Sequence, residues 1–146
     1  MIYLDTNVFM YAADKTSRYY AVCDRLTGMA AHNKIKIVTS AETIQEVIYL
    51  FQNRGDLEKG LEMSSYIAEI INEILPVDGS VLQQYLSTIG KHLRQEKISS
   101  RDFLHVATCI VYKIDMIITY DADFKKFKEI KTLTPEQFLI AHPPQL

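Results

Sequence analysis

The chain opens MIYLDTN (residues 1–7). Ile2, Tyr3 and Leu4 form a short apolar run that stops on a carboxylate, Asp5, followed by Thr6 and Asn7. In open parallel sheets, ligands bind outside the carboxyl ends of the strands, where the strand order reverses. A first strand that ends on an aspartate is therefore a candidate site wall. Short apolar runs recur at IKIV (35–38), EILPV (73–77), DMIIT (115–119) and KTL (131–133), and the stretches between them read as helices. Strands alternating with helices point to βαβ units and a mostly parallel sheet covered on both faces. The expected fold is α/β: a three-layer α/β/α sandwich with a central, mostly parallel sheet. No linker or repeat interrupts it, so residues 1–146 are expected to form one domain.

The helices can be placed roughly. Ser17 to His32 begins on a capping residue and carries Tyr20, Ala21, Cys23 and Leu26. A second helix starts near Ser40 and sets Ile44, Val47, Ile48 and Phe51 on one stripe until RGD (54–56) ends it. Leu57 to Ile74 is its hairpin partner, and Ser80 to Gln95 follows the turn-like VDGS (77–80). SSRDFLHVATCIVYKID (99–115) is apolar nearly all round from Phe103 to Ile114, as a centrally packed helix is. Pro135 starts a short C-terminal helix.

Composition narrows the functional classes. With 146 residues, 48% of them hydrophobic, the chain has material for a real core. The longest apolar run, CIVYKIDMIIT (109–119), is broken by Lys113 and Asp115, well short of the ~20 apolar residues of a membrane span. No basic region leads into an apolar N-terminal stretch, so a signal peptide is not expected and the cytoplasm is the default. Cys23 and Cys109 sit far apart in helical sequence and read as small core residues. The four histidines (His32, His92, His105, His142) are scattered, so structural zinc is not expected. The formal net charge of −2 argues against holding nucleic acid by bulk positive charge. Local basic contacts could still come from Lys34, Lys36, Arg94, Lys97, Arg101, Lys125, Lys126 or Lys128, although a solvated surface of mixed charge explains most of them.

Four acids stand out. Asp5 and Asp121 each follow a strand; taken singly, either is an ordinary turn or cap residue, but together they face the same end of the sheet. Asp102 lies three residues after Ser99, which suits a capping box, yet it also stands at the mouth of an apolar helix where an unpaired charge is costly. Glu46 falls just outside its helix's apolar arc, and periodicity alone makes it a boundary residue.

The ordered set LDTN (4–7), TIQEVI (43–48), SRDFLHVATC (100–109) and IITYDADF (117–124) resembles the PIN-domain nucleases over essentially the whole chain. Its compact size is most similar to the VapC-type toxin ribonucleases. The resemblance implies a Mg²⁺- or Mn²⁺-dependent site built from Asp5, Glu46, Asp102 and Asp121, with Thr6, Asn7 and Thr119 in support and Asp123 assisting. In that scheme Asp5, Asp102 and Asp121 hold metal directly, and Glu46 binds a second ion or orients the attacking water. Hydrolysis of a phosphodiester needs an activated water and neutralised charge on phosphate and leaving oxygen, which bound Mg²⁺ supplies, and an oxygen-only donor set suits that ion. The implied partners are an RNA substrate and a cognate antitoxin whose basic side chain could enter the acidic groove.

Rival readings fit less well. A haloacid-dehalogenase-like phosphatase wants a second acid at position 7, where Asn7 stands, and a receiver domain wants paired acids after the first strand. A PIN-like module that binds RNA or protein without cutting stays open. A homodimer is expected to bury some of Tyr19, Tyr20, Tyr49, Tyr66 and Tyr85, with ordinary core placement as the alternative.

Overall fold

The computed structural model describes residues 1–32, 35–94 and 97–143. Lys34 and the Gln95 end of the expected fourth helix lie outside these residues. The five strands are β1 (Ile2–Leu4), β2 (Ile37–Ser40), β3 (Glu73–Leu75), β4 (Met116–Ile118) and β5 (Lys131–Leu133). They lie in the order β3-β2-β1-β4-β5 and every pairing is parallel. Tyr3 is in register with Val38 on one side and Ile117 on the other. The chain builds outward from β1 to one edge, then crosses back to β4. The order therefore reverses between β1 and β4.

The helices are α1 (Thr6–Ala13), α2 (Tyr20–Ala31), α3 (Ala41–Asn53), α4 (Leu57–Ile70), α5 (Gly79–Lys91), α6 (Ser100–Val111) and α7 (Pro135–Ala141), with a 3-10 turn at Ala122–Lys126. Alternation along the strands divides the core in two. Ile2, Leu4, Ile37 and Ile118 pack with Val8, Leu26, Val47, Ile67 and Phe138 of α1–α4 and α7. Tyr3, Val38, Leu75 and Ile117 point the other way, into a cluster with Val106, Cys109 and Phe124. The result is three layers, with α6 central on its face, as its all-round apolar sequence requires. Among the described residues, no helix is long and apolar enough to cross a membrane.

Several boundaries differ from the sequence expectation. Residues Thr6–Ala13 form a helix directly after β1, and the Asp5 carboxylate caps it by accepting from the Thr6 amide at 2.7 Å. The next helix starts at Tyr20 rather than Ser17, because the Ser17 hydroxyl accepts from the Tyr19 amide in a preceding turn. The helix expected to reach Ile74 ends at Ile70: Ile74 pairs with Thr39, and the Asn72 side chain accepts from the Ile37 amide at 2.7 Å. α5 starts at Gly79, one residue before the expected Ser80, and Asp78 caps it by accepting from the Ser80 and Val81 amides. Both cysteines are buried. Of the five tyrosines, Tyr49 and Tyr66 are exposed, whereas Tyr19, Tyr20 and Tyr85 are half-buried; Tyr19 packs on Tyr11 and Tyr120 with ring centroids 4.9 and 4.2 Å away.

α3 and α4 form a hairpin closed by Gly55, whose φ of +72° suits glycine. The two helices approach closely at Gly60, where an added Cβ would lie 3.0 Å from Phe51 Cβ.

Candidate metal and nuclease site

Asp5, Glu46, Asp102 and Asp121 all line one cavity of about 350 Å³ at the strand-order reversal, together with Thr6, Asn7, Arg54 and Arg101. Asp5 and Asp121 lie more than a hundred residues apart in sequence, and the parallel β1–β4 pairing brings them together.

Asp5 is the most constrained of them. Its Oδ1 accepts from the Thr6 amide, while its Oδ2 accepts from Asn7 Nδ2 at 2.9 Å and from Thr119 Oγ1 at 2.6 Å. Asn7 Nδ2 also reaches Thr119 Oγ1 at 2.9 Å, and that oxygen accepts from the Asp121 amide at 2.9 Å. Thr119 thus joins the ends of β1 and β4 through the carboxylate between them. Burial is the largest influence on Asp5 and holds its carboxyl above the ordinary aspartate range, against His105, Thr119 and Thr6.

Glu46 reaches this group from α3. Its Oε2 accepts a short hydrogen bond from Thr6 Oγ1 and lies 3.4 Å from His105 Nε2. Burial works to raise its pKa, but His105, Thr6 and Arg101 together hold it below the ordinary glutamate value. Arg101 Nε is 3.9 Å from Glu46 and 4.0 Å from Glu42.

Asp102 is both a cap and a wall of the cavity. Its amide donates to Ser99 Oγ at 3.1 Å and its carboxylate accepts from the Ser99 amide at 3.4 Å, so the capping box exists. Burial, reinforced by the charges of Asp121 and Asp5, pushes its carboxyl up to about 6. Asp121 caps the 3-10 turn by accepting from the Asp123 amide at 2.8 Å, and Asp123 pairs with Lys126 at 2.7 Å.

The donors fall into two groups, Asp5–Glu46–His105 and Asp102–Asp121–Asp123, within each of which one ligand atom per residue lies within 4.8 Å of the others. His105 was absent from the expected site. It is almost wholly buried, with Nε2 3.8 Å from Asp5 Oδ1 and Nδ1 2.6 Å from the Tyr3 hydroxyl. Burial opposes its charge, but Glu46 and Asp5 raise its pKa overall. The signal was present: His105 follows Asp102 by three residues and so shares its helix face. Of the eight basic residues considered, Arg101 lines the acid cavity, while Lys36 pairs with Glu73 and Lys126 with Asp123. Arg54, which was not among them, also lines it.

Comparison with known proteins places the fold in a family. Ribonuclease VapC13 of Mycobacterium tuberculosis is 26% identical over 133 residues, covering 91% of this chain and 99% of that protein. Among solved structures, VapBC2 from Rickettsia felis bound to a DNA fragment from its promoter superposes with a TM-score of 0.72 at 20% identity, covering 92% of this chain and 98% of that one. VapC20 of M. tuberculosis, described as a sarcin-ricin loop cleaving toxin, gives a TM-score of 0.71 at 17% identity, covering 90% and 99%. The PIN domain family model matches residues 2–130. The chain belongs to the PIN domain family.

Proposed function

We propose that this chain is a divalent-metal-dependent endoribonuclease, the toxin of a toxin–antitoxin pair, folded as one domain over residues 1–146. The observation that carries the reading is the convergence of Asp5, Glu46, Asp102 and Asp121 on one cavity at the sheet's switch point. The donor set fits a hard cation, since Asp102, Asp121 and Asp123 offer oxygen only and Asp5 and Glu46 add two further carboxylates. Asp5, Asp102 and Asp121 would hold Mg²⁺ or Mn²⁺, with Glu46 available to a second ion. Bound there, the metal supplies charge neutralisation at the scissile phosphate and activation of the attacking water.

The chain's own residues do the positioning. Asn7 and Thr119 fix the Asp5 carboxylate through both hydrogen bonds to Oδ2. Thr6 and His105 keep Glu46 ionised, so that it can orient a water or accept its proton. A relative named as a ribonuclease supports RNA as substrate, and the VapBC structures support a cognate antitoxin as partner. A homodimer is also part of this reading, with exposed Leu82 and Leu86 of α5 and nearby Leu93 offering apolar surface.

The test is incubation of the purified protein with labelled structured and single-stranded RNAs, with and without Mn²⁺. Cleavage is expected only with the metal and is lost in Asp121→Asn. RNA bound but never cut in Mg²⁺ or Mn²⁺ would overturn the enzyme in favour of a non-cutting PIN-like module.

A further inference from the structure

The acid cavity does not end at the acids. Met10, Tyr11 and Arg54 line it and also line a second cavity of about 260 Å³ that includes Asp14 and Lys59. The two therefore share a wall and form one track along α1 and the α3–α4 hairpin. Its charge changes sign along the way. The acid cavity holds four carboxylates beside Arg101; the shared wall carries the exposed Arg54, and the second cavity adds the exposed Lys59.

Neither cation is ion-paired with a carboxylate among the described residues. Arg54 sits at the C-cap of α3 with its guanidinium 5.5 Å from the centre of the Phe51 ring, and Lys59 lies in the first turn of α4. The acid in this second cavity, Asp14, already accepts from the Thr16 amide and hydroxyl at 3.0 and 2.7 Å through one oxygen. A third cavity beyond Lys59 is lined by Phe51, Met63 and Tyr66 and opposes Lys59 with Glu62, so the positive track stops at Lys59.

Between the two charged ends lies Tyr11. Its ring is braced edge-on by Tyr120 at 5.5 Å and packed on Tyr19, yet remains half-buried and lines both cavities. Carboxylates able to hold a metal at one end, an aromatic surface in the middle and exposed cations at the other match a polymer of alternating phosphates and bases.

We infer that a single-stranded RNA runs from the acid cavity across Tyr11 into the second cavity, where Arg54 and Lys59 hold a phosphate flanking the one that is cut. The inference rests on the ribonuclease reading and adds the path of the substrate along the surface. The cations act on binding and not on the chemical step, so their loss moves KM and leaves kcat in place.

The experiment uses Arg54→Gln, Lys59→Gln and Tyr11→Leu, with Arg25→Gln on the exposed face of α2 as the control. Binding of a short fluorescein-labelled single-stranded RNA is read by anisotropy in an Asp121→Asn background with Mg²⁺ across a salt series. Cleavage is read in otherwise wild-type protein. Arg54→Gln and Lys59→Gln should each weaken binding roughly three- to tenfold and flatten the salt dependence by about 0.7 per lost contact. Tyr11→Leu should weaken binding with the salt slope unchanged, and Arg25→Gln should match the parent. Equal affinity and equal KM in all four variants, with melting temperatures intact, would overturn the track and leave the groove to another partner. Because anisotropy reads binding without cutting, failure of the ribonuclease reading shows separately, as wild-type protein that cleaves no RNA.

Discussion

The Tyr3 hydroxyl stands 2.6 Å from His105 Nδ1 and 2.6 Å from Ser40 Oγ, fully buried in the middle of the sheet. It ties the first strand to the end of β2 and to the central helix α6, and through His105 it reaches Glu46 and Asp5. Tyr3→Phe keeps the ring but leaves a buried serine and an imidazole nitrogen without their partner. Stability should fall by about 1–3 kcal/mol, the cost of stranding buried polar groups. Denaturant unfolding measures it. Cleavage should survive far better than in Asp121→Asn, because Thr6, Asn7 and Thr119 still hold the carboxylates.

Asp102 gives the clearest dependence on pH. In the folded, metal-free protein its carboxyl titrates near 6, whereas in the unfolded chain it titrates near 3.8. Between these values the folded state retains a proton that the unfolded state has released. Stability of the metal-free protein should therefore fall as pH rises through that window, and the penalty is complete above about pH 6. Asp102→Asn should abolish metal-dependent cleavage, reduce this slope, to which the raised Asp5 carboxyl also contributes, and leave the metal-free protein as stable at neutral pH as before or more so. Melts across pH without metal check the slope. Mg²⁺ should then raise the melting temperature of wild type much more than that of the variant. Asp115→Asn, an exposed change beyond the far end of the same helix, should keep full activity.

Much of this arrangement was legible in the sequence, and the gaps have physical causes. The strand pattern gave the sheet because parallel strands buried on both faces read as short apolar runs. The α6 segment was visible because its apolar residues wrap the helix. α1 was not placed, since it is short and its first residues, Thr6 and Asn7, were already assigned to the site. Asp5 turned out to serve both as the α1 cap and as a site wall. Asp102 likewise is both a helix cap and a wall of the acid cavity. Glu46 was invisible to periodicity because a partly buried acid on the rim of an apolar arc looks the same whether it faces solvent or a cavity; only the packing of α3 against α1 decides. His105 hid among apolar neighbours, where a lone histidine resembles core.

The close approach of α3 and α4 predicts a packing effect at a distance from the acids. Gly60→Ala would place a methyl group 3.0 Å from Phe51 Cβ, an atom anchored to a helix backbone that can yield only by spreading the hairpin. Overpacking of about 1–3 kcal/mol should outweigh the gain of up to ~1 kcal/mol in helix propensity. A lower melting temperature by calorimetry is the expected result.

Assembly is tested at α5. Leu82, at 52% exposure, and Leu86, at 60%, stand four residues apart and so share a helix face. Light scattering should give a dimer, and Leu86→Lys should give a monomer with its secondary structure intact. A monomeric wild type at every concentration would remove the homodimer from the proposed reading.

The pairing of β1 with β4 has a consequence for synthesis. The strand that completes the surroundings of Asp5, and the Thr119 hydroxyl that orients its carboxylate, leave the ribosome more than a hundred residues after Asp5 itself. Contacts between such distant parts of a chain form late, because the intervening loop must first be closed. A nascent chain has no assembled site until residues through Asp121 have emerged. Growing chains therefore carry the first acid without the constellation, and the four acids can come together only after translation has passed Asp121.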